Sequence, residues 1–211
     1  MTINIKKLDQ IRNSLLPECD LMIVSKNRSV SDIEKLILNG EQIFGENRVI
    51  EAEEKFLKQL NKYSHKINLH LIGQLQSRKV KKALEIFDVI QSIDRDKIVE
   101  IISDEIDKNI NIKTKSFFIQ INIGNEKQKS GIDPKYVNDF YRYAVSKKLN
   151  IRGFMCIPPN DDNPSIYFKE MNTIKDSINT KLKLSMGMSN DYKLAIKFKS
   201  NMVRIGSLIF N

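Results

Sequence analysis

Eight short apolar runs recur along the chain, and an amphipathic helical pattern separates most neighbours. The runs are Leu21–Val24, Gln42–Phe44, Asn68–Ile72, Val89–Ile93, Phe117–Ile123, Ile151–Met155, Lys183–Ser185 and Met202–Ile205. Alternation of this kind leaves few architectures. Strands separated by helices run parallel, and a strand covered on both faces reads as a continuous apolar stretch. Eight units within 211 residues predict a single (β/α)8 barrel domain over residues 1–211, at the short end for that fold. An additional N-terminal helix is expected from Ile5, Leu8, Ile11, Leu15 and Leu16 on one side of "INIKKLDQIRNSLL". A doubly wound open sheet is the competing architecture, weakened because no GxGxxG or GxxxxGK[ST] follows a strand.

Helix ends can be read locally. Ser31 and Glu34 have capping-box spacing, and Gly40 sits where that helix should stop. Asp94 is placed to cap the helix carrying Ile98, Ile101, Ile102 and Ile106. Asp133 followed by Pro134 opens a helix with Val137, Phe140, Tyr141 and Ala144.

The formal charge of +9 raises the possibility of a nucleic-acid partner. The basic residues are dispersed among acidic neighbours as "KVKK", "KKLN" and "KLKL" rather than gathered into a patch, which argues against one. No apolar run approaches the roughly 20 residues that span a bilayer, and the N-terminal stretch does not read as a signal peptide. Cys19 and Cys156 lack CxxC spacing, and only His65 and His70 accompany them. A reduced, cytoplasmic protein without a structural metal is expected. No large apolar patch is evident, so a monomer is expected.

Barrel active sites lie at the C-terminal ends of the strands. The first strand ends in Ser25-Lys26, the second in "FGENR", the third in "HLIGQLQSRK", the fifth in "QINIGNEKQKSGID" and the sixth in "MCIPPN". The seventh ends in "LSMGMSND" and the eighth in "RIGSLIF". Loops after strands 7 and 8 commonly bind phosphate through glycine backbone and a helix N-terminus. Here they supply Ser185, Gly187 and Ser189, then Gly206 and Ser207; ordinary capped turns would use the same residues. A lysine at the mouth facing such a cradle is suited to attack an aldehyde if a nearby cation, for which Arg204 is placed, lowers its proton affinity. A phosphorylated aldehyde satisfies both features, pyridoxal 5′-phosphate first and sugar phosphates second.

These residues belong to a larger set: "VSK", "FGENRVIEAEEK", "HLIGQLQSRK", "IQSID", "RGFMCIPP", "LSMGMSNDYKLAI" and "MVRIGSLIF", in this order. The sequence resembles the pyridoxal-phosphate homeostasis proteins, single-domain relatives of the alanine racemase N-terminal barrel. The resemblance implies a Schiff base on Lys26 and a phosphate against Ser189, Gly206 and Ser207. It also implies an arginine, Arg204, facing the pyridine nitrogen, and Asn47 beside the cofactor. Arg78 stands where asparagine is common and Ser207 where threonine is common.

An arginine opposite the pyridine nitrogen disfavours its protonation and weakens the ring as an electron sink. A racemase also needs a second base. His70 and Tyr192 are the candidates, each with a plainer reading as a core residue. The leading expectation is a carrier or buffer in pyridoxal-phosphate homeostasis, with apo enzymes as possible recipients. An amino-acid racemase and a Schiff-base sugar-phosphate aldolase are the competing functions. Lys127 and Lys129, in the fifth loop, read as solvated charges or as a second, non-covalent cofactor site.

Overall fold

The computed structural model describes residues 3–108, 112–160 and 163–210. Eight parallel strands close into a barrel in sequence order: β1 (Asp20–Val24), β2 (Ile43–Glu46), β3 (Asn68–Leu71), β4 (Val89–Ile93), β5 (Ser116–Ile121), β6 (Ile151–Cys156), β7 (Lys183–Ser185) and β8 (Met202–Ile205). The first closes against the last through Asp20↔Met202 to Ile23↔Ile205. Helix α1 (Ile5–Asn13) precedes the barrel. The connections carry α2 (Val30–Leu38), α3 (Val49–Ala52), α4 (Val80–Ile86), α5 (Asp96–Asp107), α6 (Val137–Ser146), α7 (Ser165–Ile178) and α8 (Tyr192–Lys197). The expected (β/α)8 barrel with an extra N-terminal helix is therefore present.

The sheet has two apolar faces. Ile23, Phe44, Leu69, Leu71, Ile90, Ile119, Phe154, Leu184, Val203 and Ile205 pack outward against the helices in one continuous core. Inside, Val89, Phe118 and Met155 form a separate small cluster. Strand side chains alternate between faces, which is why one strand can serve both. Helix α1 buries Leu8 and Ile11, whereas Ile5 is exposed and the helix ends before Leu15 and Leu16, so its apolar stripe is shorter than the spacing suggests. It is tied to the segment after β8: Asn4 N–H donates to the Ile209 carbonyl at 2.8 Å, and Ile3 bridges Phe210.

Two helix starts differ from the sequence reading. The cap of α2 is Ser29, which accepts from the Asp32 N–H and donates to the Asp32 carboxylate. Glu34 instead accepts from Tyr63 and pairs with Lys62. Asp94 does not cap α5. It accepts from Gln74 and Arg95, and Arg95 occupies the cap position of α5, its side chain making no capping bond. Gly40 does follow α2, at φ +93°, and Asp133 caps the turn Pro134–Tyr136 that leads into α6. No helix among the described residues is long and apolar enough to cross a membrane.

The barrel interior also holds polar groups. Gln91 Nε2 lies 2.8 Å from His70 Nδ1 and 3.2 Å from Met202 Sδ. His70 is buried, and burial depresses its pKa from 6.5 to about 3. The unfolded chain therefore takes up a proton below pH 6.5 that the folded chain refuses. The stability from this group is whole above pH 6.5 and is lost as the pH falls towards 3. Between pH 7 and pH 5 the loss should be about 2 kcal/mol. Urea unfolding at the two values should record it, and His70→Asn should flatten that limb. An unchanged acid limb in the variant would exclude His70 as its source.

Candidate functional site

At the C-terminal ends of the strands, a cavity of about 430 Å³ opens between the loops after β1, β6, β7 and β8. Its lining includes Lys26, Arg28, Pro158, Ser189, Arg204, Gly206 and Ser207. Five of the seven residues singled out from the sequence thus meet in one place: Lys26, Ser189, Arg204, Gly206 and Ser207.

Lys26 follows β1 in a tight turn. Arg28 N–H closes it by donating to the Ser25 carbonyl at 3.1 Å, and Asn27 takes the left-handed conformation at φ +58°. Asparagine tolerates that region better than most residues. Lys26 is exposed, and its amine forms no hydrogen bond or ion pair among the described residues.

Arg204 is the opposite case. It is 3% exposed and donates from Nη1 to the Ser185 carbonyl at 2.7 Å and the Ser185 hydroxyl at 2.9 Å, and from Nη2 to the Cys156 carbonyl at 2.7 Å. Burial lowers its proton affinity, partly offset by Cys156 and Asp191. It stays charged, because a guanidinium starts far above neutrality. No ion pair to it forms among the described residues, so a buried cation faces the cavity held only by neutral acceptors.

The two phosphate-loop candidates are shaped differently. After β7, Gly187 adopts φ +94°, and a Cβ there would lie 2.5 Å from Ala195. The chain then turns through Met188, whose N–H donates to Asp191 Oδ1 at 2.6 Å, so that Ser189 faces the cavity. After β8, a Cβ on Gly206 would press on Val24 at 3.3 Å, and Ser207 follows at the rim. Neither the Ser189 nor the Ser207 hydroxyl has a protein partner among the described residues.

Two candidates lie elsewhere. Ser185 is fully buried and accepts from Arg204, so it supports the cation rather than lining the cavity. As the last residue of β7 it points into the barrel, a direction that the loop motif alone does not disclose. Asn47 lines a second cavity of about 290 Å³ with Arg48, Gln74 and Arg78. Lys129 bonds the Pro158 carbonyl at 3.2 Å and pairs with Glu126, while Lys127 is exposed. His70 lines a cavity at the opposite end of the barrel with Asp20 and Lys183, and Tyr192 is buried in the outer core. Neither reaches the Lys26 cavity.

Both cysteines are buried and free. Burial pushes Cys19 up to about 11 and Cys156 up to about 12, so neither is a thiolate at neutral pH. No group of three or more metal-ligating side chains occurs among the described residues. The arrangement offers a free amine, a buried cation and two free hydroxyls around a space of small-molecule size.

Comparison with known proteins is consistent with this chemistry. The sequence matches the model of the alanine racemase N-terminal domain over residues 4–211. It is 38% identical to a pyridoxal phosphate homeostasis protein of Buchnera aphidicola, covering 94% of this chain and 88% of that protein. The solved structure of PipY from Synechococcus elongatus without PLP superposes with a TM-score of 0.87 at 29% identity, covering 98% and 99% of the two chains. PipY with PLP bound superposes at 0.83 and 28% identity, with the same coverage. Alanine racemase from Bartonella henselae shares the fold, with a TM-score of 0.77 at 15% identity over 97% of this chain and 58% of that one.

Proposed function

Because the chain belongs to the alanine racemase N-terminal domain family and, within it, to the pyridoxal phosphate homeostasis proteins, we propose that it binds pyridoxal 5′-phosphate as a Schiff base on Lys26. It acts as an intracellular carrier or buffer of that cofactor, without strong catalytic turnover. The observation that carries the proposal is the unpartnered amine of Lys26 sharing one cavity with Arg204, Ser189 and Ser207. The cofactor supplies an aromatic aldehyde, which joins an amine with loss of one water.

This chain's residues then have distinct tasks. Lys26 is the covalent anchor. Ser189, Ser207 and the open backbone at Gly206 hold the phosphate, whose oxygens accept from hydroxyl and N–H donors. Arg204 would disfavour protonation of a pyridine nitrogen bound beside it, because two cations in contact repel. Ser185 orients Arg204, whereas Asn47, which lines a separate cavity, has no task in this one. A carrier is favoured over a racemase by the positions of His70 and Tyr192, which leave the cavity without either candidate for an opposing base. Delivery to apo enzymes, a monomeric state and residence in the cytoplasm complete the proposal, the last supported by two free buried thiols.

The test is a titration of the purified protein with pyridoxal phosphate and with pyridoxal, followed by incubation with L-alanine. Tight retention of the phosphorylated form without production of D-alanine is expected; steady racemisation would make the protein an enzyme. Replacing Ser189 or Ser207 singly with alanine should weaken pyridoxal phosphate binding about 10–100-fold, since a hydrogen bond to a charged group contributes about 1.5–3 kcal/mol. Binding of pyridoxal, which lacks the phosphate, should not change. Equal losses for both compounds would remove the two serines from the phosphate site.

A further inference from the structure

Directly beneath the Lys26 turn lies a buried ionic cluster that does not line the cavity. Ser25 and Glu46 are fully buried, and Lys55 is 7% exposed. Lys55 Nζ donates to the Ser25 carbonyl at 2.8 Å, to Glu46 Oε1 at 3.0 Å and to Glu51 Oε1 at 2.6 Å. The Ser25 hydroxyl donates to the same Glu46 oxygen at 2.8 Å. Glu51 Oε1 also accepts the Asn27 N–H at 2.6 Å. One network therefore holds the carbonyl before Lys26 and the N–H after it.

The helix that delivers Lys55 is itself irregular. Following α3, residues Glu53–Gln59 form a π-helical segment, in which the Leu60 N–H reaches back five residues to the Lys55 carbonyl at 2.9 Å. Segments of this kind are rare and recur at functional sites. The cluster is also costly. Taking charges out of water costs several kcal/mol per ion, and apolar residues of similar volume often serve stability better. Glu46 Oε2 has no partner, and burial raises the Glu46 pKa against the pull of Lys55 and Ser25. For Glu51, burial also raises the pKa, but Lys55 and the Asn27 N–H outweigh it and the net shift is downward. A well-packed apolar contact would hold a helix to a strand at lower cost. The ionic bracket also fixes one peptide carbonyl and one peptide N–H in the turn that carries the anchor, which an apolar contact cannot do.

We propose that Lys55 and Glu51 are positioning residues for Lys26. Their bracket on Ser25 and Asn27 holds the turn so that the Lys26 amine projects into the cavity, and so sets the rate of covalent attachment. This rests on the proposed function of Lys26. Lys55→Met leaves the buried Glu46 carboxylate facing the partly exposed one of Glu51 without a cation and risks misfolding, so Glu51→Gln is the main variant. It keeps the side-chain shape and the Lys55–Glu46 pair but removes the charge on the Asn27 bond.

Saturation kinetics of pyridoxal phosphate attachment, followed by absorbance and by borohydride trapping on Lys26, separate the half-saturating concentration from the limiting rate. In Glu51→Gln the limiting rate should fall about tenfold, with the half-saturating concentration unchanged within about twofold. In the cofactor-free protein, amide hydrogen exchange in a peptide spanning Ser25–Arg28 should quicken while the other strand ends stay as in wild type. A rate equal to wild type, a parallel loss in both kinetic constants, or unchanged exchange would overturn the positioning role. Wild-type protein that yields no adduct on Lys26 would overturn the proposed function and this role together.

Discussion

Lys26→Ala should leave the protein folded and unable to retain pyridoxal phosphate. After incubation with the cofactor and gel filtration, wild type should carry the visible band of a lysine adduct, and the variant should carry none. Borohydride reduction and peptide mapping should place the wild-type adduct on Lys26. The expected loss of retention is at least about 100-fold, because a covalent anchor is exchanged for phosphate contacts alone, and each 1.4 kcal/mol is a factor of ten. The fold should not suffer. Lys26 is exposed and bonds to no described residue, so truncation strands no buried partner. Thermal unfolding of the cofactor-free variant should therefore match that of cofactor-free wild type. A variant that keeps the band, or an adduct that maps to Lys129, would move the anchor to another loop of the same mouth.

That contrast also marks how far the sequence could be read. The strand boundaries at Val89–Ile93, Lys183–Ser185 and Met202–Ile205 are reproduced to the residue, because apolar runs covered on both faces are bounded by polar turns. The end of β1 was legible too, and with it the position of Lys26. The α2 cap was not. Ser29 and Ser31 each stand three residues before an acid, Asp32 and Glu34, and spacing cannot choose between them. The choice falls to Ser29 because the preceding turn delivers the chain there, and Glu34 is drawn away by Lys62 and Tyr63. The loop motif offers Ser185 to a cradle, but it serves the arginine beside it, since a residue at the last position of a short strand can look upward or inward.

The Lys55 cluster was less legible still. Glu51 and Lys55 have ordinary i,i+4 helical spacing, which usually marks a solvated pair. The features that make the pair special are Glu46, arriving from β2, and the carbonyl of Ser25, thirty positions away from Lys55. Such contacts depend on register between strands and on a π-helical distortion, neither of which leaves a local mark. Chemistry at the strand ends could be read, but the structure that holds it could not.

Arg204→Met should produce the second large effect, on stability as well as on binding. The seam between β7 and β8 is the thinnest in the barrel, with a single registered pair, Ser185↔Met202, against five between β5 and β6. Backbone bonds continue it irregularly, from Met186 N–H to the Met202 carbonyl and from Arg204 N–H to the Gly187 carbonyl. The Arg204 side chain adds the cross-tie: from β8 it reaches β7 at Ser185 and β6 at Cys156. Methionine fills similar space but removes the donor to two carbonyls and a hydroxyl, at about 1–3 kcal/mol for each left unsatisfied before relaxation. Relief from burying an unpaired cation offsets part of this, so a net loss of about 2–4 kcal/mol is expected in urea unfolding. Arg204→Lys should recover less than half, because one ammonium cannot reproduce a planar fork spanning two strands. The same tie faces the cavity, so ligand binding and closure of the seam should be coupled. Pyridoxal phosphate should raise the unfolding midpoint of wild type more than that of Arg204→Met. Equal increments in the two proteins would mean that the arginine closes the barrel without contributing to the ligand.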